Sequence, residues 1–116
     1  MQYTVTLNKN HEFRRLYAKG RSAASSTLVV YMRRTGRGIN RVGFTVTVRL
    51  GHAVVRNRVR RRLREIYRLH ESELIRGADL VVVARSRAVK SSYAQLEKDY
   101  LRCCGALGLL CGEAGE

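Results

Sequence analysis

Tryptophan is absent from this chain, acidic side chains are scarce in its first half, and no apolar run is long enough to cross a membrane. Each absence removes a class of function. A spanning helix needs about 20 consecutive apolar residues, and a surface-bound membrane protein needs bulky apolar anchors or a lipidation motif. No membrane partner is expected. The N-terminus lacks the apolar core of a signal peptide, so the chain is expected in the cytoplasm. Cysteine is confined to Cys103, Cys104 and Cys111. An odd number crowded at one end fits neither a disulfide framework nor zinc-ligand spacing, so reduced thiols are expected.

Positive charge is what the chain has in excess. Lys and Arg total 23 against 9 acids, giving a net charge of +14 and a pI near 10.9. The excess is localised: residues 1–64 carry 16 basic side chains and a single acid, Glu12, whereas residues 65–116 carry 7 basic and 8 acidic ones. A half of one sign generates a field that concentrates phosphate backbones, so nucleic acid is the expected partner. A hydrophobic content of 45% separates the chain from disordered basic tails, and 116 residues suffice for one modest core. There is no internal repeat and no linker. Residues 1–104 are expected to form one domain, and the glycine-rich residues 105–116 a flexible tail.

Hydrophobic periodicity outlines an α+β chain. Residues 8–19 place Phe13, Leu16 and Tyr17 at helical spacing, with Asn8 as N-cap and Gly20 as stop. Residues 27–34 are β-branched and aromatic, a strand with Leu28, Val30 and Met32 on one face and Tyr31 on the other. After a turn-rich segment, Val42, Phe44, Val46 and Val48 alternate with Gly43, Thr45, Thr47 and Arg49, the pattern of a half-buried strand. Residues 53–75 read as the main helix, residues 80–84 as an interior strand, and Ser92 with Gln95 as a capping box that opens a last helix.

The main helix carries the distinctive feature. Val55, Val59, Leu63, Ile66 and Tyr67 form one apolar stripe, and at about 100° per residue Arg60, Arg61, Arg64 and Arg68 project away from it. Six arginines occur in the nine residues from Arg56 to Arg64, with no acid among them. Like charges at these spacings repel, so the run lowers stability unless a partner neutralises it. Guanidinium groups bind phosphates in a bidentate fork and stack on bases, which suits structured RNA. A DNA reader would need a recognition helix in a helix-turn-helix, zipper or zinc module, and none is apparent. Phe13, Tyr17 and Tyr31 lie near basic groups, as aromatics do where single-stranded RNA is held by stacking.

The string RLGHAVVRNRVRRRLRE, from Arg49 to Glu65, resembles the signature of the bacterial ribonuclease P protein component, in which Gly-x-Ala-Val-x-Arg-Asn-Arg leads into a basic helix. The resemblance extends in register through Asn10-x-x-Phe13, the Leu28 to Tyr31 strand, Val42-Gly43 and the run from Asp79 to Arg85. It implies a single α-β-β-β-α-β-α sandwich with a four-stranded mixed sheet, similar to the second domain of ribosomal protein S5. It also implies that a large RNA subunit, dependent on Mg²⁺, removes the 5′ leader of precursor tRNA, while the protein supplies no catalytic group and binds no metal. Carried over by position, Arg56, Asn57, Arg58, Arg60, Arg61, Arg64 and Arg68 would contact the catalytic RNA. Phe13, Tyr17, Tyr31, Thr45, Thr47 and Arg49 would line a cleft for the leader. Val48 stands where the family usually has lysine, and His52 where it often has asparagine.

Two rivals differ in class. A protein-only ribonuclease would need its own acid and base, for which His11, His52 and His70 are the candidates. Nothing in the sequence pairs them, and the basic half holds no carboxylate cluster for metal ions. A ribosomal or RNA-chaperone module without a cleavage role is separated by which RNA copurifies with the chain.

Overall fold

The computed structural model describes residues 3–111. Strands β1 (Thr4–Thr6), β2 (Arg21–Ala24), β3 (Leu28–Arg34), β4 (Asn40–Thr45) and β5 (Ala78–Ala84) and helices α1 (Asn10–Lys19), α2 (Ala53–His70) and α3 (Tyr93–Ala106) follow in the order β1-α1-β2-β3-β4-α2-β5-α3. The strands form one mixed sheet in the order β1-β4-β5-β3-β2. The continuous apolar run of β5 is central, as expected, parallel to β4 and antiparallel to β3. The expected α+β architecture is therefore present, with five strands in place of four. The additional strand, β1, is a three-residue edge segment paired in parallel with β4 from Thr4↔Asn40 to Thr6↔Val42. Three residues are too few to show an alternation.

The pleat separates two cores. On one face Val30, Val82 and Phe44 stand in register, followed by Met32, Leu80 and Val42. They pack with Val59, Leu63, Ile66 and Tyr67 of α2 and with Leu96, Tyr100, Cys103 and Cys104 of α3. On the other face α1 lays Leu16 and Phe13 against Leu7, Tyr31, Val81 and Val83. Tyr31 thus lies opposite the main core, as the alternation of β3 requires.

Several expected boundaries move. The N-cap position of α1 is Lys9 rather than Asn8, and no side chain caps the helix. Gly20 does follow the helix, but with extended backbone at φ −79°. Its glycine character answers to close approach, since a Cβ there would lie 2.6 Å from the Leu16 carbonyl oxygen and 2.8 Å from that of Met32. Helix α2 stops at His70 rather than at residue 75, and a 3₁₀ turn, Glu71–Glu73, follows. The Glu71 carboxylate accepts hydrogen bonds from the Tyr3 backbone N–H and the Thr4 hydroxyl, tying the turn to β1. Strand β4 ends at Thr45; Val46 is still buried, but Val48 enters a second 3₁₀ turn, Val48–Leu50, and is exposed.

The expected tail also needs correction. Leu107 and Leu109 are core residues, Leu110 bridges to Leu74, and the Ile75 N–H donates to the Leu109 carbonyl at 2.8 Å. The packed chain therefore runs through Cys111, and only residues 112–116 of the expected tail lie outside the described part. Ser92 caps α3 by accepting from the Gln95 N–H at 3.1 Å. The Gln95 side chain does not complete the box; it donates to Asp99, which also accepts from the buried Thr27 hydroxyl.

Buried polar groups fix the loops. The Asn40 side chain is fully buried, accepts from the N–H groups of Gly77 and Ala78, and donates to the Ile75 carbonyl at 2.9 Å. The three cysteines are free thiols, and burial pushes Cys104 up to about 12, so this sulfur is no thiolate at neutral pH. His70 closes the far end of α2, with Nδ1 2.6 Å from Glu73 and Nε2 2.6 Å from Glu97 of α3. Burial disfavours its cation, but the two carboxylates outweigh burial and raise its pKa above the ordinary value. The raised folded-state pKa means that the contribution is complete below the unfolded value of about 6.5 and is lost as pH rises through the folded one. His70→Gln should therefore lower stability by up to about 1 kcal/mol between roughly pH 5 and 6.5. In urea titrations its difference from wild type should shrink at higher pH, whereas a pH-independent difference would show that the imidazole contributes by packing alone.

Candidate nucleic-acid interface

Because β1 pairs with β4 only as far as Val42, the edge of β4 beyond it has no strand neighbour. Helix α1 packs on one face of the sheet, against β3 and β5, and α2 on the other, against β4. Between them lies an open cleft of about 400 Å³, lined by Asn10, Phe13, Arg14, Tyr17, Phe44, Thr45, Val46 and Arg60. Phe13 reaches it over Gly43, where a Cβ would come within 2.6 Å of the ring. Tyr17 donates to or accepts from the Thr45 hydroxyl at 2.9 Å and meets Tyr31 edge-on, with ring centroids 4.9 Å apart. Tyr17 remains 40% exposed, which leaves ring surface for a ligand.

Of the six residues expected in a cleft, Phe13, Tyr17 and Thr45 line it, and Tyr31 adjoins it through the Tyr17 ring. Thr47 and Arg49 are exposed beyond the end of β4 and are not among the lining residues, because the strand gives way to the Val48–Leu50 turn. Asn10 and Arg14 are additions. They stand at spacings of three and four from Phe13 and Tyr17, so the helical period that singled out the aromatics could have found them too.

Helix α2 divides its arginines among three directions. Val59, Leu63, Ile66 and Tyr67 are buried, as the stripe requires. Arg61, Arg64 and Arg68 are exposed on the opposite side, as expected. Arg60 is not part of that outward set: it lies on the flank facing α1, half-buried in the cleft wall, and donates to the Asn57 side chain at 3.0 Å. Arg58 and Arg62 occupy the other flank; Arg58 is exposed, and Arg62 donates to the Ser91 carbonyl. Arg56 turns back to the Gly51 carbonyl, bracing the start of the helix.

Acids hardly offset this charge. Arg68 is held by Glu65, and the Arg68 hydrogen bond lowers the Glu65 pKa. Among the described residues, Arg58, Arg61 and Arg64 form no ion pair. Val54, 81% exposed, precedes Arg58 by one turn and places an apolar side chain on the same exposed side. The histidines do not assemble an acid–base site in the cleft: His11 and His52 are exposed and absent from its lining, and His70 is engaged by Glu73 and Glu97. No group of three His, Cys, Asp or Glu side chains among the described residues is placed to hold a metal ion.

An α+β domain with an uncompensated arginine face beside an aromatic cleft is a nucleic-acid-binding protein. Comparison with known proteins narrows the class. A family profile for ribonuclease P matches residues 1–108. The ribonuclease P protein component of Natranaerobius thermophilus is 41% identical over 102 residues, covering 88% of this chain and 89% of the relative. That of Alkaliphilus oremlandii is 39% identical, covering 90% and 91%. The solved RNase P protein of Staphylococcus aureus superposes with a TM-score of 0.83 at 30% identity, over 90% of this chain and 96% of its own. The one from Thermotoga maritima gives 0.77 at 26% identity, over 84% and 92%. The chain belongs to the ribonuclease P protein family, the protein subunits of an endoribonuclease of tRNA processing, and membership implies partnership with the ribonuclease P RNA.

Proposed function

We propose that the chain holds two RNAs on two surfaces and acts in the cytoplasm on precursor tRNA. The outward face of α2, with Arg61, Arg64 and Arg68, and Arg58 on the flank away from the cleft, bind phosphates of the catalytic RNA. The cleft between α1 and α2 takes the single-stranded 5′ leader, with Phe13 and Tyr17 as stacking surfaces, Tyr31 supporting Tyr17, and Asn10, Arg14 and Thr45 as polar contacts. Arg60 faces the cleft and so belongs with the leader, while Arg56 and Asn57 shape the start of the helix. Hydrolysis and its Mg²⁺ are assigned to the RNA subunit, since among the described residues no acid–base pair lines the cleft and no carboxylate cluster is placed to hold a metal ion. The single observation that carries this reading is the juxtaposition of an exposed aromatic stripe with an unpaired arginine face on the far side of the neighbouring helix.

Two substitutions separate the surfaces. Arg61→Ala with Arg64→Ala should weaken binding to the catalytic RNA and reduce the slope of log affinity against log salt by about 0.7 to 0.9 per lost phosphate contact. An unchanged slope would remove the outward face from the interface. Tyr17→Ala should weaken binding of precursor tRNA by about 1 to 3 kcal/mol if a base stacks on the ring, with mature tRNA unaffected. Equal losses for both tRNAs would place Tyr17 outside the leader path.

A further inference from the structure

The flank of α2 that faces away from the cleft does not end at the helix. Arg58 and Arg62 stand one turn apart there, and the Arg62 guanidinium donates to the Ser91 carbonyl at 3.3 Å. Ser91 belongs to the connection between β5 and α3, whose 3₁₀ turn, Ser86–Val89, lies against α2 and against the Val48–Leu50 turn. This connection carries its own open groove of about 460 Å³, lined by Ser86, Arg87, Lys90 and Ser91. Arg87 and Lys90 are exposed and, among the described residues, form no ion pair. The groove contains no aromatic side chain and no acid. Two cations with two hydroxyl-bearing residues, and nothing for a base to stack on, recognise phosphate oxygens rather than nucleobases. The groove therefore differs in chemistry from the aromatic cleft.

We propose that the 86–91 connection is a second docking element for the phosphodiester backbone of the catalytic RNA, continuous with α2 through Arg62. Continuity selects the occupant. The groove adjoins the flank of α2 that faces away from the cleft, so a backbone crossing Arg61 and Arg58 reaches Arg87 and Lys90 without passing the leader site. Arg49, which the family resemblance assigns to the cleft, lies in the turn packed against this connection and adds a further exposed cation to that side. Arg62 acts as a positioning residue: half-buried and bonded to the Ser91 carbonyl, it holds the connection to the helix.

The inference rests on the reading that α2 binds the catalytic RNA, and one titration separates the two. Full-length wild type, Arg87→Gln with Lys90→Gln, and Arg61→Ala with Arg64→Ala are each titrated with ribonuclease P RNA at 50 and 200 mM salt. Both substituted side chains of the first variant are exposed and unbonded, so its melting temperature should match wild type. It should bind more weakly, and its affinity should fall about tenfold less than that of wild type between the two salts, as expected for two lost contacts. Its preference for precursor over mature tRNA should be unchanged. Wild-type binding and slope in the Arg87 and Lys90 variant, with a loss in the α2 variant, would overturn the docking element and leave the reading standing. No loss in either variant would overturn both. A loss confined to precursor preference would assign the groove to the substrate and overturn the proposal.

Discussion

Arg41 is the interaction on which the placement of the site depends. The β4–β5 register sets it opposite Asp79, and the guanidinium grips that carboxylate through Nε at 2.9 Å and Nη2 at 2.6 Å. The remaining amino group bonds Glu12 of α1. One side chain thereby joins two strands and fastens α1 to the sheet. Glu12 is the only acid in the first 64 residues, and its contact with Arg41 gives a reason for an acid in an otherwise basic half. All three groups are largely buried, so removing one partner is expected to cost about 3 to 5 kcal/mol. With α1 fixed by Glu12, the stripe of Asn10, Phe13, Arg14 and Tyr17 follows at the open edge of β4.

The same logic explains how α2 tolerates its charge. Each like-charge pair costs a few tenths of a kcal/mol in an isolated helix. Burying Val59, Leu63, Ile66 and Tyr67 contributes about 1.5 to 3 kcal/mol apiece, so the apolar stripe outweighs the repulsion. The ends are secured as well, by Arg56 on Gly51 at the start and by His70 between two carboxylates at the finish. The helix keeps Arg58, Arg61 and Arg64 unneutralised without losing its place in the core. Neutralisation is then left to a partner, so salt dependence of binding would report on this surface directly.

Sequence periodicity made the large elements legible because each buries a face whose repeat is visible in the chain. The stripe of α2, the alternation of β3 and the apolar run of β5 all lie where that period puts them. Short or partner-defined features were hidden. β1 and β2 are brief edge strands whose existence depends on pairing with β4 and β3. The apolar Leu74 and Ile75 extend the α2 pattern in the sequence, but they pack against the returning segment at Leu109 and Leu110, 36 residues later for the Leu74–Leu110 bridge and 34 for the Ile75–Leu109 bond. The glycines of that segment masked two core leucines. Thr47 and Arg49, assigned to the cleft by the family resemblance, lie outside its lining because the strand gives way to a 3₁₀ turn after Thr45. Arg60 changed sides because it projects from the flank of the helix rather than from its crest.

Under the proposed function the two faces of one small domain are chemically separate, an aromatic cleft for a single strand and an arginine crest for folded RNA. Photo-cross-linking from position 17 and from position 64, in the holoenzyme with precursor tRNA bound, tests that separation most directly. The account predicts that a cross-linker at position 17 captures the 5′ leader and one at position 64 captures the catalytic RNA. Capture of the same RNA from both positions, or the reverse assignment, would contradict it.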